Sequence, residues 1–230
     1  MPAIPSAVNL AQFDTLMVPQ GAEYQAVCRG LKKVKGVTPQ VLALPVGASS
    51  VQKYLQQLDF VPARVLLLGL CGSLQAELGI GDIVVYESCL NFTTQALKLC
   101  DVKLTQMLAE SLGEKAARVT GLTCDRVIST AAQKRAISRD YQAEVVDMEG
   151  FAVLEGLSAI GASVAMLRVV SDDCYGDIPD LSGTISTDGK LKPLSLTFAF
   201  LKQPLAAQRL IRGSLKGLKV LENLFLTDNR

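Results

Sequence analysis

Short apolar runs alternate with amphipathic stretches along most of this 230-residue chain, a pattern that marks βαβ units wrapped around a largely parallel sheet. Arg64 to Leu70 (RVLLLGL) and Ser163 to Val170 (SVAMLRVV) are continuous apolar runs, as expected of strands buried on both faces. Further strands are predicted over Phe13 to Pro19, Gln40 to Val46, Asp82 to Ser88, Ala116 to Leu122 and Glu144 to Val146. Helices are predicted over Gly21 to Lys33, Ser49 to Leu58 with Ser49 or Ser50 as N-cap, Val102 to Leu112, Thr130 to Ser138, Phe151 to Ile160 and 204–226. Residues 174–195 are rich in Gly, Pro, Asp, Ser and Thr and read as one long loop, a candidate lid. The expectation is α/β: a single domain over 1–230 with a central mixed, mostly parallel sheet flanked by helices.

The chain contains no histidine and no tryptophan. A Ser-His-Asp or Cys-His constellation is therefore impossible, as is a histidine-ligated zinc site. Proton transfer near neutral pH falls to carboxylates with raised pKa, or to cysteine, lysine, tyrosine or water. With 23 Lys+Arg against 22 Asp+Glu, a net charge of +1 gives no field favouring nucleic acid or an anionic membrane. The apolar runs stop far short of the roughly 18 residues that span a bilayer. The N-terminal MPAIPSAVNLAQ lacks the basic n-region of a signal peptide. Six cysteines without a C-x-x-C pair read as reduced cytoplasmic thiols, with Cys28 and Cys71 as small core residues. The expected partner is a small molecule, with no metal and no cofactor.

Two nucleotide fingerprints fail. Gly69-x-x-Gly72 lacks the first half of G-x-G-x-x-G, and Gly183 to Lys190 carries Leu191 where a P-loop holds Ser or Thr. Three acids stand out instead: Glu23, Glu149 and Asp172 each follow the end of a predicted strand. Carboxyl ends of parallel strands share one edge, where open α/β proteins place ligands. Taken singly, Glu23 and Glu149 also suit the first turn of a helix, and Asp172 a turn.

G-L-C-G-S-L followed by G-I-G-D-I-V-V (Gly69 to Val85), C-D-R-V-I-S (Cys124 to Ser129), V-D-M-E-G-F-A-V (Val146 to Val153) and L-R-V-V-S-D-D (Leu167 to Asp173) resembles the nucleoside phosphorylase/nucleosidase superfamily. The resemblance is closest to methylthioadenosine/S-adenosylhomocysteine nucleosidases, futalosine hydrolases and hopanoid-associated nucleosidases, and covers about two thirds of the chain, Leu16 to Asp173. It implies a phosphorylase/hydrolase-like fold, a nucleoside substrate and a homo-oligomer. It implies Asp172 as the general acid that protonates the departing purine, its pKa raised by burial or by a neighbouring carboxylate such as Asp173. It implies Glu149 on the ribose hydroxyls with Met148 against the sugar, and Glu23 on the attacking water. Gly72, Ser171, Val127 and Ile128 complete the implied binding site.

The departures narrow the chemistry. Superfamily phosphorylases carry an arginine two residues before the first glycine of the glycine segment and a serine after it, where this chain has Leu67 and Leu70. A phosphate dianion without those donors is poorly held, which favours hydrolysis. Where adenosyl-specific nucleosidases place an aromatic residue near the base, this chain offers Arg126-Val127, and Tyr175, in the candidate lid, could supply a ring instead. The expected function is hydrolysis of a purine-type nucleoside, with 5′-modified adenosine in view. The alternatives are a phosphorylase using Arg168 or Arg126, and a non-catalytic nucleoside-binding protein.

Overall fold

The computed structural model describes residues 7–184, 186 and 192–226. Residues 1–6 of the N-terminal segment, and residues 185 and 187–191 of the expected loop and of the P-loop-like stretch, lie outside the described residues. The strands are β1 (Thr15–Pro19), β2 (Gln40–Leu44), β3 (Arg64–Ser73), β4 (Ile83–Asn91), β5 (Leu97–Leu99), β6 (Ala116–Thr123), β7 (Val145–Asp147) and β8 (Ser163–Asp172). The helices are α1 (Ala22–Leu31), α2 (Ala48–Leu55), α3 (Val102–Leu112), α4 (Ala131–Tyr141), α5 (Gly150–Ser158), α6 (Pro193–Lys202) and α7 (Pro204–Asn223).

One mixed sheet contains all eight strands. β3 runs parallel to β1 and β8, β1 parallel to β2, and β6 parallel to β4 and β7. β4 runs antiparallel to β5 and β8, and β3 antiparallel to β7. The pairings β3-β8-β4-β6-β7-β3 close into a ring, from which β2-β1 and β5 extend. A register shift between Cys71 and Gly72, opposite Ser171, lies where β3 passes from β1 to β7. Such a bulge bends a strand and re-aims its neighbours.

The apolar runs are buried on both faces, as their sequence requires. Met17, Leu67, Val84 and Met166 pack beneath α2 and α5, with Phe151 and Leu154. Leu16, Leu66, Leu68 and Leu167 pack on the other side, with Leu104 of α3, Val27 of α1 and Leu221 of α7. Among the described residues no helix is long and apolar enough to cross a membrane, and no acid or cysteine cluster has the makings of a metal site. All six cysteines are unpaired; Cys71 is buried, whereas Cys28 is only half-buried.

Several boundaries differ from expectation for local physical reasons. Gly47, rather than Ser49 or Ser50, caps α2; its φ of 89° is a conformation that glycine adopts without strain. β8 runs two residues past Val170, because the bulge lets Asp172 pair with Gly72. Residues 193–195, assigned to the loop, open α6 with Pro193 in its first turn. Strand β5 was not foreseen; at three residues it is too short to show a period.

Candidate active site

All eight residues singled out from the sequence, Glu23, Gly72, Val127, Ile128, Met148, Glu149, Ser171 and Asp172, line one cavity of about 200 Å³. A second cavity of about 280 Å³ adjoins it through Val46, Arg126, Val127, Met148 and Leu181. The acids do not meet for the simple reason expected. β7 runs antiparallel to β3, so a shared carboxyl edge brings only Glu23 and Asp172 together; Glu149 arrives because β7 folds across the end of β3.

Glu23 lies in the first turn of α1, and its carboxylate accepts the Leu70 N–H at 2.6 Å. Leu70 falls between Leu67, the last residue of β3 paired with β1, and Gly72, the first paired with β7. The side chain thus satisfies a sheet-edge donor that neither strand takes. Burial pushes the Glu23 carboxyl up to about 7, with Glu149 adding to the effect while the Leu70 N–H and Arg168 oppose it.

Glu149 is 5% exposed and sits at the start of α5, its Oε1 accepting the Gly47 N–H at 3.0 Å. Burial raises its pKa, and Arg168 works against that rise. Arg168 is fully buried in the middle of β8, with Nη2 3.0 Å from Asp147 Oδ2 and 3.6 Å from Glu149 Oε2. Burial opposes its charge, but Asp147 and Glu149 outweigh that cost and hold its pKa above the ordinary value. Asp147 in turn accepts the Thr123 hydroxyl at 2.6 Å and the Gly150 N–H at 3.1 Å.

The glycine segment makes room for these charges. A Cβ on Gly69 would lie 2.1 Å from Arg168 Nη1 and 2.9 Å from Glu23 Oε1, and one on Gly72 would lie 2.8 Å from Asp172 Oδ2.

Asp172 is 7% exposed; Ser171 Oγ donates to its Oδ1 at 2.9 Å, and the ammonium of Lys134 is bound to its Oδ2. Its charged partner is therefore a cation, not the carboxylate expected of Asp173, which turns away to accept the N–H groups of Tyr175 and Gly176. Tyr175 is 68% exposed, its hydroxyl on the Ala76 carbonyl, and it does not line the cavity. The described part of the expected lid does contribute: Ile178 and Leu181 line the cavity, and Ile178 N–H donates to the Ser129 carbonyl at 2.9 Å.

Three charged groups escaped the sequence reading in these roles. Arg168 had a signal, a charge inside an apolar run, which must be paired when buried, but it was weighed only for phosphate. Asp147 lay within the D-M-E-G segment without an assigned task. Lys134 had none, because lysine on an amphipathic helix is ordinarily solvated.

The phosphorylase superfamily profile matches residues 18–188, nearly three quarters of the chain, and the chain belongs to that superfamily. Among solved structures, the chain is similar in fold to a mutant of the Helicobacter pylori 5′-methylthioadenosine/S-adenosylhomocysteine nucleosidase with 5′-methylthioadenosine in its active site (TM-score 0.65, 16% identity, 93% of this chain and 97% of that one). It is similar also to a futalosine hydrolase mutant of H. pylori (TM-score 0.64, 16% identity, 91% and 96%). The Campylobacter jejuni 5′-methylthioadenosine/S-adenosylhomocysteine nucleosidase is a third (TM-score 0.61, 16% identity, 92% and 100%). Compared by sequence with the curated proteins, the chain matches none.

Proposed function

We propose that this chain is a nucleosidase, hydrolysing the N-ribosidic bond of a purine-type nucleoside to free base and free sugar. The observation that carries the reading is the charge arrangement of the cavity: Glu23, Asp147 and Glu149 surround a single buried guanidinium, Arg168. Such a site favours the positive charge that grows on the sugar ring as the C1′–N bond breaks. It disfavours a phosphate dianion, because the carboxylates repel it and Arg168, fully buried beside Asp147, does not line the cavity.

In this reading Asp172 passes a proton to the purine ring, so that the bonding electrons leave with a neutral base. Glu149 holds the ribose hydroxyls, with Met148 against the sugar. Water adds to C1′ and gives its proton to Glu23, whose pKa of about 7 suits a base working near neutrality. The cavity and its neighbour together fall in the range of ligand pockets, roughly 300–1,000 Å³, and leave space for a 5′ substituent. The same reading carries a cytoplasmic setting, supported by six unpaired cysteines, and a homo-oligomer, supported by exposed Leu97, Leu99 and Val102.

Incubation with adenosine, inosine, methylthioadenosine and S-adenosylhomocysteine, with and without phosphate, followed by mass spectrometry, tests the proposal. Free sugar in phosphate-free buffer, at a rate phosphate does not change, is expected. Sugar 1-phosphate makes the protein a phosphorylase, and binding without turnover makes it a nucleoside-binding protein. Asp172→Asn is expected to lower kcat by about 10²–10⁴ while still binding nucleoside; near-normal kcat in that variant removes Asp172 as the acid.

A further inference from the structure

Helix α4 is polar along most of its length, yet it turns Lys134 inward with Ala131 and Ile137. The Lys134 side chain is fully buried, and the residue is not among those lining the cavity. Its ammonium binds Asp172 Oδ2 and the Asp173 carbonyl, the latter at 2.7 Å. Burying an ammonium is costly, and an apolar residue of similar length usually stabilises such a position as well or better. The fold alone does not ask for a charge there.

The surroundings place that charge with care. Thr130 caps α4, accepting the Gln133 N–H, and Asp177, in the loop after β8, accepts the Ala131 N–H at 2.8 Å. The first turn of α4 is thereby tied to the segment that follows Asp172. Around Asp172, Ser171 donates to the other carboxyl oxygen, and Arg135 is held by the Cys174 carbonyl. Burial raises the Cys71 thiol pKa well above its ordinary value, so Cys71 stays neutral. Lys134 is the cation bound to Asp172.

We propose that Lys134 is the positioning residue of the proton donor. The inference rests on the nucleosidase reading above. As the Asp172 O–H bond breaks and an N–H bond forms on the departing base, negative charge is left on Asp172. Lys134 pins the carboxyl beside Gly72 and balances the new charge from a position that is itself fully buried. Its contribution grows along the reaction and is absent from substrate binding, so it belongs to kcat rather than KM.

The test compares Lys134→Met, Lys134→Gln and Lys134→Arg with Asp172→Asn on a cleaved purine nucleoside. A second substrate, 4-nitrophenyl riboside, has a leaving group that departs without a proton. The expected result is a kcat about tenfold or more lower for Lys134→Met and Lys134→Gln on the purine nucleoside, with KM unchanged and Lys134→Arg restoring most of the rate. Rates on the nitrophenyl riboside stay at the unmodified level. Equal losses on both substrates, or a rise in KM matching the fall in kcat, show a merely structural lysine and overturn the inference, as does unmodified kcat in the Met and Gln variants. If Asp172→Asn loses purine cleavage and the lysine variants do not, only the role of Lys134 falls; if Asp172→Asn keeps it, the reading of Asp172 falls too.

Discussion

Glu23 shows how a common residue in a common place acquires unusual properties. An acid in the first turn of a helix is ordinarily explained by the helix dipole, and nothing in P-Q-G-A-E says otherwise. What changes it is three-dimensional: the carboxyl turns under the sheet edge onto the Leu70 N–H, and burial beside Glu149 lifts its pKa from 4.5 to about 7. As the proposed base it must be ionised, so kcat is expected to climb as pH rises through about 7; a kcat flat from pH 5 to 9 counts against the role. Stability moves the opposite way. A carboxyl raised on folding contributes stability that is full below the unfolded value and is lost as pH rises through the folded one. Glu23→Gln, which cannot ionise, is therefore expected to be more stable than the unmodified protein at pH 8, by up to about 3 kcal/mol, and to match it near pH 4. Denaturant unfolding at the two pH values measures this directly. The three carboxylates were legible as candidates because their residue types and positions after strands are local facts. Lys134 and Asp147 were not, because a buried partner is defined by what lies across the fold.

At the level of elements, the long helices and the strands buried on both faces were readable because continuous burial, or a 3.6-residue period, is written into the sequence itself. Strand β7 was found, but its antiparallel direction was not, since direction depends on which edge of β3 is free. Helix α7 carries a signal that patterning does not reveal. It is a 20-residue helix that keeps Gly213 and Gly217 on its buried face. A Cβ on Gly213 would lie 2.0 Å from the Ser171 carbonyl oxygen, a backbone atom at the bulge that aims Asp172. Alanine favours a helix over glycine by about 1 kcal/mol, but the clash with backbone outweighs it. Gly213→Ala is expected to destabilise by about 1–3 kcal/mol, read from the denaturant midpoint, and to lower kcat through the displaced Ser171-Asp172 pair. Gly156→Ala is the matched control: its Cβ would meet Leu55 Cδ1 at 2.8 Å, the far end of a side chain that can turn aside. A loss in Gly156→Ala equal to that in Gly213→Ala contradicts the backbone origin of the effect.

For the whole molecule, alternation of strands and helices announced an α/β domain, while the closed ring was invisible because closure depends on the bulge at Ser171 and on a three-residue strand. That ring brings Glu149 after β7 and Asp172 at the end of β8 to the same cavity, and β1, paired with β3 outside the ring, adds Glu23. The site therefore draws on β1, β3, β7 and β8 together, and a ligand that fits it is expected to stabilise the whole domain rather than a loop. A ligand bound to the native state alone adds about 2.7 kcal/mol at 100 times its Kd. For a chain of this length that corresponds to a rise of about 5–10 °C in Tm. On the proposed mechanism Asp172→Asn is the protein to use, because it is expected to hold nucleoside without consuming it. Calorimetry of that variant with 5′-methylthioadenosine or adenosine is expected to show one transition, moved upward by the ligand without broadening. If the transition splits and only a minor part moves, the cavity belongs to a locally stable segment, and the coupling between ring and site is wrong.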